Sequence, residues 1–267
     1  MTPLPEKDNL ILELADSWVT IWFNRPDNRN ALSVGMVNDL KDTLESVRDD
    51  RSVRGVTFRG KGGVFCAGAD LKGLKALFEE DAEKEELVKF SVEISHLFDL
   101  INTMPQVTVM VIEGAAMAGG FGLACSGDVI IVQKDTKFAL TETMIGLSPA
   151  QISPLVIHRL GSALGRRLML TGARLNGEEA AQIGLADFVG ADEFEMAELE
   201  QKIKTQVLRC APGAVGITKN FIKEIPHLTK EEMIELAANS FAECILSDEG
   251  REGITSFVEK RKPKWAK

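Results

Sequence analysis

Two short glycine-bearing stretches, Phe65-Cys66-Ala67-Gly68-Ala69-Asp70 and Gly114-Ala115-Ala116-Met117-Ala118-Gly119-Gly120-Phe121-Gly122, constrain this chain more than any other feature. Each follows a β-branched run that reads as a strand and leads into a segment that reads as a helix. Sparse side chains at such a junction let a backbone N–H reach a common point. Two donors aimed at one oxygen form an oxyanion hole, which stabilises an enolate or a tetrahedral anion. The pair therefore points to chemistry on a carbonyl or thioester that requires neither a metal nor a protein nucleophile.

The surrounding pattern is layered. Leu10, Leu12 and Leu14 alternate, then Val19, Ile21 and Phe23, predicting a β-hairpin over 9–23 with Ala15-Asp16-Ser17 between its strands. A polar loop runs from Asn24 to Asn30. Ser33 is a candidate N-cap for a helix that places Val37, Leu40, Leu44 and Val47 on one face. Strands are predicted at 53–58, 107–112 and 129–132, with a long helical region carrying Val88, Val92, Leu97 and Ile101 before the second of these. The order β-α-β-α-β predicts an α/β layer with crossover connections. Beyond Ser153 the pattern is almost wholly helical. Asn176 caps one helix that Gly184 ends, and Thr229 with Glu232 forms a capping box for another. No internal repeat is visible. The expected organisation is an α/β core over 1–190 and a helical region over 191–267.

At 267 residues, with 45% hydrophobic and 27% charged residues, the composition is that of an ordinary globular protein. No apolar run approaches the ~18–20 residues needed to span a bilayer. The start of the chain lacks the features of a signal peptide, so a cytoplasmic protein without a membrane partner is expected. A formal net charge of -9 argues against a nucleic-acid partner. Lys260, Arg261, Lys262, Lys264 and Lys267 nonetheless crowd the C-terminal end, either as a solvated tail or as a site for a phosphorylated small ligand. Cys66, Cys125, Cys210 and Cys244 are scattered and His96, His158 and His227 stand apart from them. No metal site is expected, and the thiols are expected to be reduced and mostly buried.

Catalysis beside an oxyanion hole needs a proton carrier. Glu142 lies between Phe138-Ala139-Leu140 and Met144-Ile145-Gly146, where burial raises a carboxyl pKa. It is read equally well as an ordinary carboxylate at a helix start. Glu113, at a strand end, reads as structural. Ser126 and Ser148 sit in no nucleophile elbow, and the glycines match neither a dinucleotide fingerprint nor a phosphate loop.

Taken in order, Asn24-Arg25-Pro26, Asn30-Ala31-Leu32, the two glycine stretches, Phe138 to Gly146, Arg251-Glu252-Gly253, Phe257 and Glu259 to Pro263 resemble the crotonase (enoyl-CoA hydratase/isomerase) superfamily over nearly the whole chain. The resemblance implies an α/β fold with a ββα-spiral core, a helical C-terminal trimerisation region, and a homotrimer or dimer of trimers. It implies an acyl-CoA thioester as ligand, coenzyme A entering as part of the substrate with no other cofactor. The oxyanion amides would come from Ala69 and Gly119, with Glu142 as acid/base. Arg29, Asn30, Ala31, Leu32, Ala67, Asp70 and Leu71 would lie along the CoA moiety. Phe241, Phe257 and Lys260 would close over its nucleotide end, with the neighbouring subunit as one source of these residues.

One departure matters. Hydratases of the best-known kind carry two catalytic glutamates; the first would fall at Gly122, leaving room there for a branched or carboxylated acyl chain, and the second falls at Glu142. Three readings follow. Ala118 to Leu123 and Leu140 to Pro154 resemble bacterial hydratases of branched glutaconyl-CoA esters, acting on 3-isohexenylglutaconyl-CoA in acyclic terpene degradation or 3-methylglutaconyl-CoA in leucine degradation. A lone glutamate equally suits a Δ3,Δ2-enoyl-CoA isomerase. A non-catalytic acyl-CoA-binding homologue is the third. Acyl recognition is expected in the stretch from Lys72 to Lys89 and near Gln151, with Lys75, Gln151 and His158 as candidate carboxylate receptors.

Overall fold

The computed structural model describes residues 4–79 and 83–266. Its elements, in order, are β1 (Leu10–Ala15), β2 (Trp18–Phe23), α1 (Val34–Arg48), β3 (Gly55–Gly60), α2 (Leu71–Glu79), α3 (Lys84–Asn102), β4 (Val107–Ile112), β5 (Ala115–Met117), α4 (Gly119–Cys125), β6 (Val129–Gln133) and β7 (Lys137–Ala139). There follow α5 (Ser153–Thr171), β8 (Arg174–Leu175), α6 (Gly177–Gln182), β9 (Phe188–Gly190), α7 (Glu193–Leu208), α8 (Pro212–Glu224), α9 (Lys230–Leu246) and α10 (Asp248–Val258).

The main sheet has the order β1-β2-β3-β4-β6-β9. Its first pair is antiparallel and the rest are parallel. A small second sheet has the order β5-β7-β8. Parallel bridges Leu32↔Ala69 and Cys66↔Ala116 continue the small layer towards the N-terminus. Each of β2, β3, β4 and β6 therefore leaves the main sheet, makes a short contact in the small layer, and then enters a helix. That is a repeating strand–strand–helix spiral, built without any repeat in the sequence.

Both faces of the main sheet are buried. Along β4, Met110 and Ile112 enter the large core with Phe58, Phe121 and Phe138, whereas Val109 and Val111 face Trp18, Ile131, Met196 and Ile203. The second cluster is closed by α7, which thus packs on the sheet.

Local chemistry explains the elements. The hairpin turns on Asp16 and Ser17 alone, both left-handed (φ 50° and 64°), while Ala15 pairs with Trp18. The Ser33 hydroxyl accepts the Met36 N–H at 3.2 Å and starts α1, which buries Val37, Leu40, Leu44 and Val47 as expected. The long helical region is α2 and α3, with residues 80–82 of the expected acyl-recognition stretch outside the described residues. On α3 the buried stripe is Ile94, Leu97, Phe98 and Ile101; Val88 and Val92 are exposed. Asn176 caps α6 as expected, in a capping box with Glu179, and Thr229 forms the expected capping box with Glu232. Among the described residues no helix is long and apolar enough to cross a membrane. Cys66 and Cys125 are buried, and burial pushes both thiols up to about 12. Cys210 is exposed and Cys244 half-buried, so two of the four thiols depart from the buried expectation.

Candidate active site

The first limb of the site is built from two loops laid side by side. Arg29 and Asn30 are both left-handed (φ 51° and 55°). The Asn30 side chain is wholly buried, donating to the carbonyls of Lys61 (2.9 Å) and Val64 (2.6 Å) and accepting the Arg25 N–H (2.9 Å). Ala67 donates to the Arg29 carbonyl, Leu32 to that of Gly68, and Asp70 to that of Leu32, at 2.7–3.0 Å. Because the Gly68 carbonyl points at Leu32, the Ala69 N–H of the same trans peptide points away from this ladder, and it has no protein acceptor among the described residues. The Asp70 carboxylate is held by Arg25 at 3.0 Å, which also donates to the Ala31 carbonyl.

The second limb is zipped to the first. Phe65 donates to the Glu113 carbonyl, Cys66 to that of Ala115, and Met117 to that of Cys66. Ala118 donates to the Ala139 carbonyl at 2.8 Å and then turns sharply, at φ 49° and ψ -121°, into α4. A positive φ at alanine is strained backbone. Gly119 is the first residue of α4, and its N–H lacks an intrahelical acceptor. A Cβ at Gly119 would stand 3.6 Å from the Ala69 nitrogen, and one at Gly68 only 3.2 Å from the Gly119 nitrogen. The two amides thus lie side by side across glycines. Glycine at 68 is required twice over, since its φ is +95°.

Glu142 follows three residues after Ala139, the partner of Ala118, and opens a 3-10 turn that ends at Gly146. Its carbonyl accepts the Leu147 N–H at 2.9 Å, and the Thr143 hydroxyl ties the turn to the Met169 carbonyl of α5 at 3.2 Å. The side chain is half-buried. Its Oε2 is buried and has no hydrogen-bond partner among the described residues. Burial raises its pKa above the ordinary glutamate value. A buried carboxyl oxygen without a hydrogen-bond partner in the protein carries a desolvation cost that an exposed helix-start carboxylate does not incur.

The room expected at Gly122 is absent. A Cβ there would lie 2.0 Å from Ile152 Cγ2 and 2.5 Å from Ile152 Cβ. Ile152 is 3% exposed and fills the space beside α4. This contact joins positions thirty residues apart and left no signal in the sequence. Nor did the strain at Ala118.

The remaining candidates divide. Arg29, Asn30, Ala31, Leu32, Ala67 and Asp70 are brought together in the first limb, and Leu71 stands half-exposed at the start of α2. Phe241 and Phe257 are 68% and 84% exposed on α9 and α10, and Lys260 is exposed just beyond. The described chain does not bring these three into the limbs. Within the basic end, Arg261 is taken by Glu252 (2.6 Å) and Glu259 (2.7 Å), and it holds the Glu252 pKa down to about 2. Lys267 lies outside the described residues. Glu113 pairs with Arg59 at 2.9 Å, as a structural carboxylate does. Gln151 donates to Ser91 on α3 at 2.6 Å. His158 is exposed and lines a cleft of about 690 Å³ at the far end of α4, between α5 and α8.

The chain matches the family described as Enoyl-CoA hydratase/isomerase over residues 13–267. It is 34% identical over 250 residues to the human enoyl-CoA hydratase domain-containing protein 2, mitochondrial, covering 92% of this chain and 84% of that protein. It is 29% identical over 257 residues to the crotonyl-CoA hydratase of Syntrophomonas wolfei, covering 96% of each. Among solved structures, Pseudomonas aeruginosa AtuE superposes with a TM-score of 0.94 at 40% identity, covering 97% of this chain and 100% of that one.

Proposed function

Because the chain belongs to the enoyl-CoA hydratase/isomerase family, we propose that its two limbs hold the thioester oxygen of a branched glutaconyl-CoA ester and that Glu142 adds water across the α,β double bond. In this reading the N–H groups of Ala69 and Gly119 are the oxyanion donors. Each such donor is worth about 3–4 kcal/mol in the transition state. The Glu142 carboxylate takes a proton from water as the water oxygen bonds to C3. The π electrons move onto the thioester oxygen, and Glu142 then returns its proton to C2. Coenzyme A enters as part of the substrate, and no other cofactor takes part.

The observation that carries this reading is the buried, unpartnered Oε2 of Glu142 following the strand that holds Ala118. The branched glutaconyl group rests on the likeness of Ala118–Leu123 and Leu140–Pro154 to hydratases of such esters; 3-isohexenylglutaconyl-CoA and 3-methylglutaconyl-CoA are its two candidates. Arg29, Asn30, Ala31, Leu32, Ala67, Asp70 and Leu71 are assigned to the CoA moiety, mainly through their backbone. Phe241, Phe257 and Lys260 are assigned to its nucleotide end. Exposed Phe241, Leu246, Ile254, Phe257 and Val258 support a homotrimer, or dimer of trimers, assembled through residues 191–267.

Ultraviolet assays decide the reaction. Loss of the conjugated absorbance of 3-methylglutaconyl-CoA or its isohexenyl analogue is the expected result. Appearance of conjugation from a β,γ-enoyl-CoA without hydration indicates the isomerase instead, and binding without turnover of either indicates a non-catalytic homologue.

A further inference from the structure

Position 122 lies one turn along α4 from Gly119, on the same side of the helix. Ile152 rests directly on it. Its Cγ2 and Cβ would stand 2.0 and 2.5 Å from a Cβ at 122, while its Cα is 3.6 Å away. The two positions are therefore coupled: with the backbone as it stands, a Cβ at 122 collides with any Cβ at 152, and one of them must shift. Trimming Ile152 to alanine does not suffice, because the Cβ at 2.5 Å remains.

Ile152 is also firmly placed. Its N–H and that of Ser153 both donate to the Pro149 carbonyl, at 3.2 and 2.9 Å, and the Ser153 hydroxyl donates to the same oxygen at 2.7 Å. The neighbouring Gln151 is tied to Ser91. The space beside Gly122 on α4 is thus filled by hydrocarbon and holds no carboxyl.

We propose that Ile152, seated on Gly122, is a specificity-determining residue: it puts an apolar wall where a second acid/base would stand and restricts the enzyme to acyl groups carrying their own carboxylate. This rests on the hydratase reading. The attacking water has two O–H groups. One proton passes to Glu142 as oxygen bonds to C3. The other O–H donates a hydrogen bond to the substrate carboxylate, which makes and breaks no covalent bond. A substrate without that carboxylate leaves the water held at one end only.

Two experiments test this. Gly to Ala inside a helix ordinarily stabilises, so the sign at this position is diagnostic. Gly122→Ala is expected to lower the melting temperature by about 5 °C, from overpacking, and by less than half as much when Ile152→Gly is also present. An equal loss in both backgrounds overturns the contact. The second experiment compares glutaconyl-CoA with crotonyl-CoA, which differ by the carboxylate. Wild type is expected to favour glutaconyl-CoA in kcat/KM by about tenfold or more. Gly122→Glu with Ile152→Gly is expected to narrow that ratio through faster crotonyl-CoA hydration. Equal hydration of both esters by wild type, or an unchanged ratio in the double variant, overturns the proposal. A wild type that only moves double bonds removes the hydratase reading and the water's second anchor with it, while the melting experiment still decides the Ile152 contact.

Discussion

At the scale of single residues, burial of the Glu142 carboxyl costs stability once that group is ionised. Its carboxyl is raised by burial, so the folded state holds the proton more tightly than the unfolded state does. The stability linked to this group is therefore greatest at low pH and falls as pH rises from the ordinary glutamate value through the raised one. In the proposed reaction activity runs the other way, because Glu142 acts there as a base and must be ionised. Glu142→Gln is expected to melt no lower than wild type at pH 7, with the difference closing below about pH 4.5. A glutamine variant clearly less stable at pH 7, followed by thermal melts across pH, contradicts the buried-base account. Of the apolar neighbours that suggested burial for Glu142, Phe138, Ala139 and Leu140 are buried, whereas Met144 and Ile145 are exposed, so the sequence signal held on one side only. Ile152 was not legible, because its meaning lies in a contact with a glycine on another element.

At the scale of elements, caps and periodicity carried far. Ser33, Asn176 and Thr229 declare their helices through side-chain oxygens that satisfy first-turn amides, a local interaction that sequence displays. The short strands β5, β7, β8 and β9 were not visible. Two or three residues cannot establish a period of two, and these strands exist because the spiral sets them beside a partner. The strain at Ala118 belongs here too, since the turn it makes aims the first amide of α4. Its φ of 49° and ψ of -121° suit glycine. Ala118→Gly is expected to stabilise the protein by about 0.5–1 kcal/mol, and Ala118→Val to cost about 2 kcal/mol or more. Denaturant titration checks both. A destabilised glycine variant would mean that the alanine methyl contributes more packing than the backbone loses to strain.

For the whole molecule, the alternation of strand and helix signals indicated an α/β layer. The spiral was implied by the family resemblance and is invisible in the element order, because its second strands are too short to show a period. The C-terminal helices leave Leu246 at 69% and Val258 at 73% exposure, which a solitary chain has no reason to keep apolar. Sedimentation is expected to give three times the 29.2 kDa of the chain, or twice that again. Leu246→Ser with Val258→Ser is expected to shift the distribution to smaller species; wild type sedimenting as a single chain contradicts the assembly. The central claim is narrower: two amides from separate turns of the spiral, with one carboxyl, make and quench an enolate at C2 of a thioester. It is tested most directly by mass spectrometry of deuterium taken up at C2 of the product during turnover in deuterated water. Wild type is expected to incorporate one solvent deuteron there, and Glu142→Gln to lose that incorporation by about a thousandfold in rate while binding the ester as before. Uptake at C2 that survives the glutamine substitution contradicts the account.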